Sequence, residues 1–169
     1  MTDHALSRRL SYLLRHAPHE AGLTLAPGGW VPLAPLLRHL NATRAQVEAV
    51  VTHCDKQRFS LRGDHIRANQ GHSVPVDLQL EPASPPARLY HGTHAGALSA
   101  IREGGLRPMN RHHVHLSPDP ARRVGARRGP PVILIIRAGE MRTAGHLFFV
   151  SENGVWLVDT VPPAFIDGA

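Results

Sequence analysis

Arg111-His112-His113-Val114-His115-Leu116-Ser117 sets one guanidinium, three imidazoles and a hydroxyl within seven residues, interleaved with Val and Leu. Upstream stands Leu89-Tyr90-His91-Gly92-Thr93, an apolar approach that ends in a histidine, a glycine and a hydroxyl. Alternation of this kind predicts two neighbouring strands delivering polar groups to one pocket. Two further clusters lie in the first half. Leu10-Ser11-Tyr12-Leu13-Leu14-Arg15-His16 ends a predicted helix on cations, and Asp55-Lys56-Gln57-Arg58-Phe59-Ser60 precedes Ile66-Arg67-Ala68-Asn69-Gln70-Gly71-His72-Ser73. Guanidinium offers planar, two-pronged recognition of phosphate, and imidazole exchanges protons near neutrality. Glycine lets backbone come close to a ligand.

The charge balance agrees with a phosphate-bearing partner. The 19 basic residues include a single lysine, Lys56, and face 13 acids for a formal net charge of +6. A surface of this sign attracts polyanions through counterion release, although arginine in place of lysine also reflects base composition. Cys54 is the only cysteine, which excludes an internal disulfide and a thiolate cluster; its apolar surroundings, Val47–Cys54, read as a buried, inert thiol. With no HExxH and no Cys/His pair, no metal is expected. The longest purely apolar run, Val132–Ile136, is far too short to span a bilayer, and no leader is evident. A cytoplasmic, monomeric protein without a membrane partner is expected.

The elements that must position these residues follow from periodicity. Leu6, Leu10, Leu13, Leu14 and Ala17 form the stripe of a helix over 6–17, stopped by Pro18. Gly28-Gly29-Trp30 turns into Val31–Leu40, a short strand and then a helix opening at Pro35. A third helix runs from Thr43, its N-cap, to about Asp55. Phe59-Ser60-Leu61 and His65-Ile66-Arg67 are strands about Gly63. Helices followed by a basic hairpin describe a winged-helix lobe. The Pro-rich connector 81–86 marks a boundary, giving domains 1–80 and 81–169. Beyond it the reading is a strand at 88–91, a helix near 95–103 closed by Gly104-Gly105, a strand at 112–116, a helix over 119–126 and a strand at Val132–Ile136. A final hairpin, Leu147–Val150 with Val155–Val158, turns at Asn153-Gly154. The fold class is α+β; with no G-x-G-x-x-G and no P-loop, a doubly wound nucleotide fold is disfavoured. Trp30 and Trp156 are read as core residues, and His94, His112 and His113 as solvent-facing.

In this order the clusters resemble the tRNA 2′-phosphotransferases. The resemblance is carried by Leu-Ser-x-x-Leu-Arg-His at 10–16, Gly22-Leu23, Gly29-Trp30-Val31, Lys56-x-Arg58-Phe59-Ser60 and Ile66-Arg67-Ala68-x-Gln70-Gly71-His72-Ser73. It continues through Leu89-Tyr90-His91-Gly92-Thr93, Arg111-His112-x-Val114-His115-Leu116-Ser117, Val124-Gly125-Ala126-Arg127 and Asn153-Gly154-Val155-Trp156-Leu157. It implies an N-terminal winged-helix lobe that binds RNA and a C-terminal NAD-binding lobe of the ADP-ribosyltransferase type, with mixed or antiparallel strands and short helices.

The resemblance implies an enzyme that transfers an internal RNA 2′-phosphate, of the splice-junction kind, to NAD. The products are 2′-hydroxyl RNA, nicotinamide and ADP-ribose 1″,2″-cyclic phosphate, reached through an ADP-ribosylated 2′-phosphate. By matched motif the catalytic set falls on Arg15, His16, Arg58 and Arg111, the NAD set on His91, Gly92, Thr93, His115 and Ser117, and RNA contacts on Arg67, Gln70 and His72. Three arginines suit a near-dianionic nucleophile, and His16 is the one member of the four that titrates near neutrality. Arg122, Arg123, Arg127 and Arg128 either contact RNA or NAD phosphate or form a solvated helix face. The alternative reading is an ADP-ribosyltransferase acting on nucleic-acid phosphates or ends without the second step. A non-catalytic RNA-binding module is a third, but it has no use for His91-Gly92-Thr93.

Overall fold

The computed structural model describes residues 1–121 and 130–169. Arg122, Arg123, Arg127 and Arg128, and with them the Val124–Arg127 motif and most of the helix expected over 119–126, lie outside the described residues. The chain divides into two compact units, Met1–Gln79 and Leu80–Ala169.

The first unit opens with α1 (Asp3–Arg15), capped by the Thr2 hydroxyl, which accepts from the Ala5 amide at 3.1 Å. Leu6, Leu10, Leu13 and Leu14 line its buried stripe, and Leu10 and Leu14 are fully inaccessible. The helix ends at Arg15, before the Pro18 that the sequence marks as its stop. β1 (Val31–Pro32) leads directly into α2 (Leu33–Leu40). That helix starts two residues before Pro35, which sits in the first turn, where a missing amide costs nothing. α3 (Arg44–His53) carries a full capping box, with the Thr43 hydroxyl and the Gln46 side chain satisfying each other's amides. β2 (Phe59–Arg62) and β3 (His65–Ala68) pair antiparallel in the register Phe59↔Ala68 to Arg62↔His65, and β1 joins the far side of β3. Gly63 takes the left-handed turn position at φ 58°. Phe59, Ile66 and Ala68 pack on the helices, so the alternation leaves Ser60, Arg62, His65 and Arg67 on the opposite face.

In the second unit β4 (Leu89–Thr93) pairs antiparallel with β6 (Val132–Ile136), and β9 (Ile166–Asp167) covers the other edge of β6. β5 (Val114–Leu116) pairs with β8 (Trp156–Val158), which pairs with β7 (Phe149–Val150) around the Asn153-Gly154 turn. The two sheets meet where Tyr90 and Ser117 exchange backbone hydrogen bonds of 2.8 and 2.9 Å. The helix expected near 95–103 divides into a 3₁₀ turn, Ala95–Ala97, and α4 (Leu98–Gly104). α5 (Ala138–Thr143) and β9 have no counterpart in the sequence reading, because each is too short to establish a period. Asp119 to Ala121 are not helical. The fold is thus α+β, with antiparallel pairing throughout the described strands. No helix among the described residues is long and apolar enough to cross a membrane.

Gly105 follows α4 at φ +73°, and a Cβ there would overlap the Val161 carbonyl oxygen. Neither the backbone nor Val161, which pairs with Leu106, can give way easily. Gly105→Ala is expected to destabilise the protein by at least about 1–3 kcal/mol in denaturant titration. Gly63→Ala, with open space around its Cβ, should cost only about 1–2 kcal/mol for the left-handed backbone.

Candidate active site

In the first unit one segment, residues 69–74, meets the side chains of Arg15 and His16 and the backbone of Arg58. Arg15 is the last residue of α1, and its carbonyl, orphaned at the helix end, accepts from the Ser73 and Val74 amides at 2.9 and 3.3 Å. Its guanidinium lies on Gly71. A Cβ at that glycine would stand 3.2 Å from Arg15 Nε and 3.3 Å from Cζ, and the residue has φ +92°. Glycine is therefore required there twice, for backbone conformation and for close approach. His16, the exposed C-cap, places Nδ1 2.7 Å from Ser73 Oγ. The half-buried Arg58 meets the Cys54 sulfur twice, through its amide and through Nη1, both at 3.5 Å. Thiol sulfur is a weak acceptor and carries no charge when protonated. No carboxylate among the described residues pairs with Arg58. The Cys54 thiol is half-buried, not buried as its apolar neighbours lead one to expect, and it contacts Arg58.

The residues matched to RNA contacts occupy the same region differently. Arg67 stacks over Trp30, its Cζ 4.7 Å from the ring, and donates to the Gly28 carbonyl at 3.3 Å. Arg62 stacks on the same ring at 4.9 Å. Trp30 is thus only partly buried and serves as a platform for two guanidinium groups, not as a plain core residue. Gln70 is half-buried, and its Oε1 has no hydrogen-bond partner among the described residues. His72 is 2% exposed, with its Nε2 edge toward Gly29. That burial puts it beneath the surface.

In the second unit β4 supplies His91, Gly92 and Thr93, while β5 supplies His115 and runs on to Ser117. The Tyr90–Ser117 exchange sets these strands side by side. Thr93, His115 and Ser117 are 7%, 6% and 1% exposed, an uncommon concentration of buried polar side chains. His91 Nδ1 lies 2.9 Å from the His115 carbonyl. A carbonyl only accepts, so Nδ1 carries the proton and the ring is fixed by the strand opposite. Burial pushes the His91 pKa below its ordinary value; the His115 carbonyl opposes this and the Arg111 charge adds to it. His91 is therefore a neutral hydrogen-bonding group near pH 7, and Arg111 lies close enough to act on it. Ser117 Oγ accepts from the Asp119 amide at 3.1 Å and donates to its carbonyl at 3.0 Å. His113 is half-buried against Phe149 and Asp159, while His94 and His112 are exposed. No group of three metal-ligating side chains occurs among the described residues.

In one unit Arg15 and His16 lie against Gly71 and Ser73, and in the other buried polar side chains stand on adjacent strands. The sequence profile of the RNA 2′-phosphotransferase, Tpt1/KptA family matches residues 1–160. The chain is 55% identical to a probable RNA 2′-phosphotransferase of Streptomyces griseus, over 95% of this chain and 94% of that relative. It is 52% identical to one from Nostoc punctiforme and 51% to one from Rhizobium rhizogenes, with 95% of this chain covered in each and 94% and 91% of the relatives. The chain belongs to the RNA 2′-phosphotransferase family.

Because the folded state holds His91 neutral, protonation favours the unfolded chain. This contribution to stability is full above about pH 6.5 and is lost as pH falls through that value toward the lower folded-state pKa. His113, also depressed by burial, acts in the same direction. Thermal melts should show His91→Gln flattening the fall in melting temperature below about pH 6.5, with His91→Gln/His113→Gln flatter still. An unchanged slope would show that His91 titrates normally.

Proposed function

We propose that this protein removes an RNA 2′-phosphate with NAD as acceptor, releasing 2′-hydroxyl RNA, nicotinamide and ADP-ribose 1″,2″-cyclic phosphate. The observation that carries the reading is the placing of the Arg15 and His16 side chains against residues 71–73, with Arg58 joined to the same segment through its backbone, in a chain that belongs to the RNA 2′-phosphotransferase family. In this reading the first unit is a winged-helix lobe that binds RNA. Three helices followed by a hairpin with a cationic outer face support it. The second unit is an ADP-ribosyltransferase-like lobe.

Each residue's work follows from its chemistry. The 2′-phosphate is ionised at neutral pH and needs no general base, so Arg15 and Arg58 bind and orient it. Arg67 and Gln70 hold the neighbouring RNA, and His72 supports the loop from beneath. His91, Gly92, Thr93, His115 and Ser117 fit an uncharged sugar and its hydroxyls, because the set is polar, buried and, at His91, neutral. NAD when bound supplies a glycosidic carbon with nicotinamide as leaving group. Arg111 offsets anionic charge in the second unit, and its electrostatic reach to His91 supports that role. Freeing the 2′-hydroxyl requires a proton; His16, oriented through Ser73, delivers it.

The deciding experiment incubates the protein with NAD and a 2′-phosphorylated oligoribonucleotide. Cyclic-phosphate product with dephosphorylated RNA is expected. A stable ADP-ribosylated strand would mean an ADP-ribosyltransferase that stops after one transfer, and no stabilisation by NAD would remove the dinucleotide from the reading. Arg15→Ala, Arg58→Ala and Arg111→Ala each delete charge-assisted contacts of about 1.5–3 kcal/mol, so kcat/KM should fall roughly 10- to 150-fold. His16→Ala should lose the limb of the pH–rate profile near the imidazole pKa. A wild-type profile would end the assignment of His16.

A further inference from the structure

We propose that Asn69, a position the motif Arg67-Ala68-x-Gln70-Gly71 leaves open, is a positioning residue that sets the backbone and side chain of Arg58. The inference rests on the reading that Arg58 grips the 2′-phosphate. Asn69 follows β3 and is 5% exposed. Its backbone amide donates to the Arg58 carbonyl at 2.8 Å, one step beyond the Phe59↔Ala68 pair. Its side chain then reaches round the strand end. Nδ2 donates to the Gln57 carbonyl at 2.9 Å, while Oδ1 accepts from Ser60 Oγ at 2.8 Å and Arg67 Nε at 3.2 Å.

Only one chemical group meets those demands. The guanidinium can only donate and the Gln57 carbonyl can only accept, so an acceptor and a donor must stand side by side. That pair also fixes which end of the carboxamide is oxygen. A carboxylate lacks the donor, an aliphatic side chain lacks both, and glutamine is a methylene too long. The residue held is itself unusual: Gln57 has φ +45°, a region that residues bearing a Cβ rarely adopt. Arg58 follows directly, so the direction of its side chain depends on that kink. Its sulfur contacts to Cys54 are long and weak by comparison. Asn69 thus ties Arg58 through its backbone amide, and Gln57, Ser60 and Arg67 through its carboxamide, on the segment whose Gly71 and Ser73 meet Arg15 and His16.

The test measures binding, without NAD, of a 2′-phosphorylated oligoribonucleotide and of the same strand bearing a 2′-hydroxyl. The ratio of the two dissociation constants reports the grip on the phosphate. Asn69→Ala should lower that ratio by about tenfold or more, since misplacing a phosphate-orienting group by an ångström is costly. Its binding of the 2′-hydroxyl strand should fall less than its binding of the phosphorylated one, because only the Arg67 contact is lost there. Asn69→Asp, which keeps volume and acceptor but loses the donor to Gln57, guards against simple misfolding and should also lose preference. In an Arg58→Lys background, adding Asn69→Ala should change the ratio less than about twofold, because the fork it positions is gone. Equal weakening of both strands, unaltered preference in both Asn69 variants, or losses that multiply in the Arg58→Lys background would overturn the inference alone. A wild-type protein without preference for the 2′-phosphorylated strand would overturn the phosphate reading, and this inference with it.

Discussion

In the proposed reading, Arg15 and Arg58 meet an anionic ligand, and a cation with that task has to be held in place by its surroundings. A carboxylate partner would give the firmest geometry, yet it would compete with the phosphate for the same guanidinium. Arginines among the described residues differ in the groups that they touch. Arg44 bonds to Glu48 and Asp64 at a turn, and Arg137 to Glu140 and Asp167 near the edge of a sheet. Those are structural attachments. Arg15 instead lies on a glycine, Arg58 on a thiol, Arg67 on a carbonyl, a carboxamide and an indole face. Of these three, Arg58 has a thiol against its guanidinium and no carboxylate among the described residues.

Contacts along residues 69–74 constrain the residue types there. Gly71 must lack a side chain because Arg15 occupies its space. Ser73 must offer a hydroxyl to His16 and an amide to the end of α1. Asn69 must present an acceptor and a donor together. The second unit applies a related rule to uncharged groups. Burial and the Arg111 charge keep His91 neutral, and the His115 carbonyl fixes its tautomer, so the ring acts as an oriented dipole.

Much of the scaffold was legible because its signals are local. The Leu6–Leu14 stripe and Pro18, the Thr43–Gln46 capping box, Gly63 between two strands and Asn153-Gly154 each bring a physical reason to one short stretch of chain. Elements escaped where that reason was absent or distant. α5 and β9 are too short to show a period, and α2 opens before Pro35 because a first-turn proline loses no hydrogen bond. Trp30 departs from the expected core position for a different reason. An indole beside valine and glycine looks like core until Arg62 and Arg67, from other strands, are found on its ring. Cys54 likewise looked inert because Arg58, four residues on, reaches it only after the α3–β2 turn has formed.

Residue type and order were enough to determine the α+β class, the clusters of cationic and polar residues and the family, since each depends on neighbours in the chain or on their sequence. Tertiary structure alone decided which distant groups these cations touch. A glycine at 71 facing a helix end at 15, and a carboxamide at 69 bent back onto the carbonyl at 57, are contacts between strand ends and loops that no periodicity encodes. Such contacts depend on where the backbone passes in space, and only the packed unit fixes that.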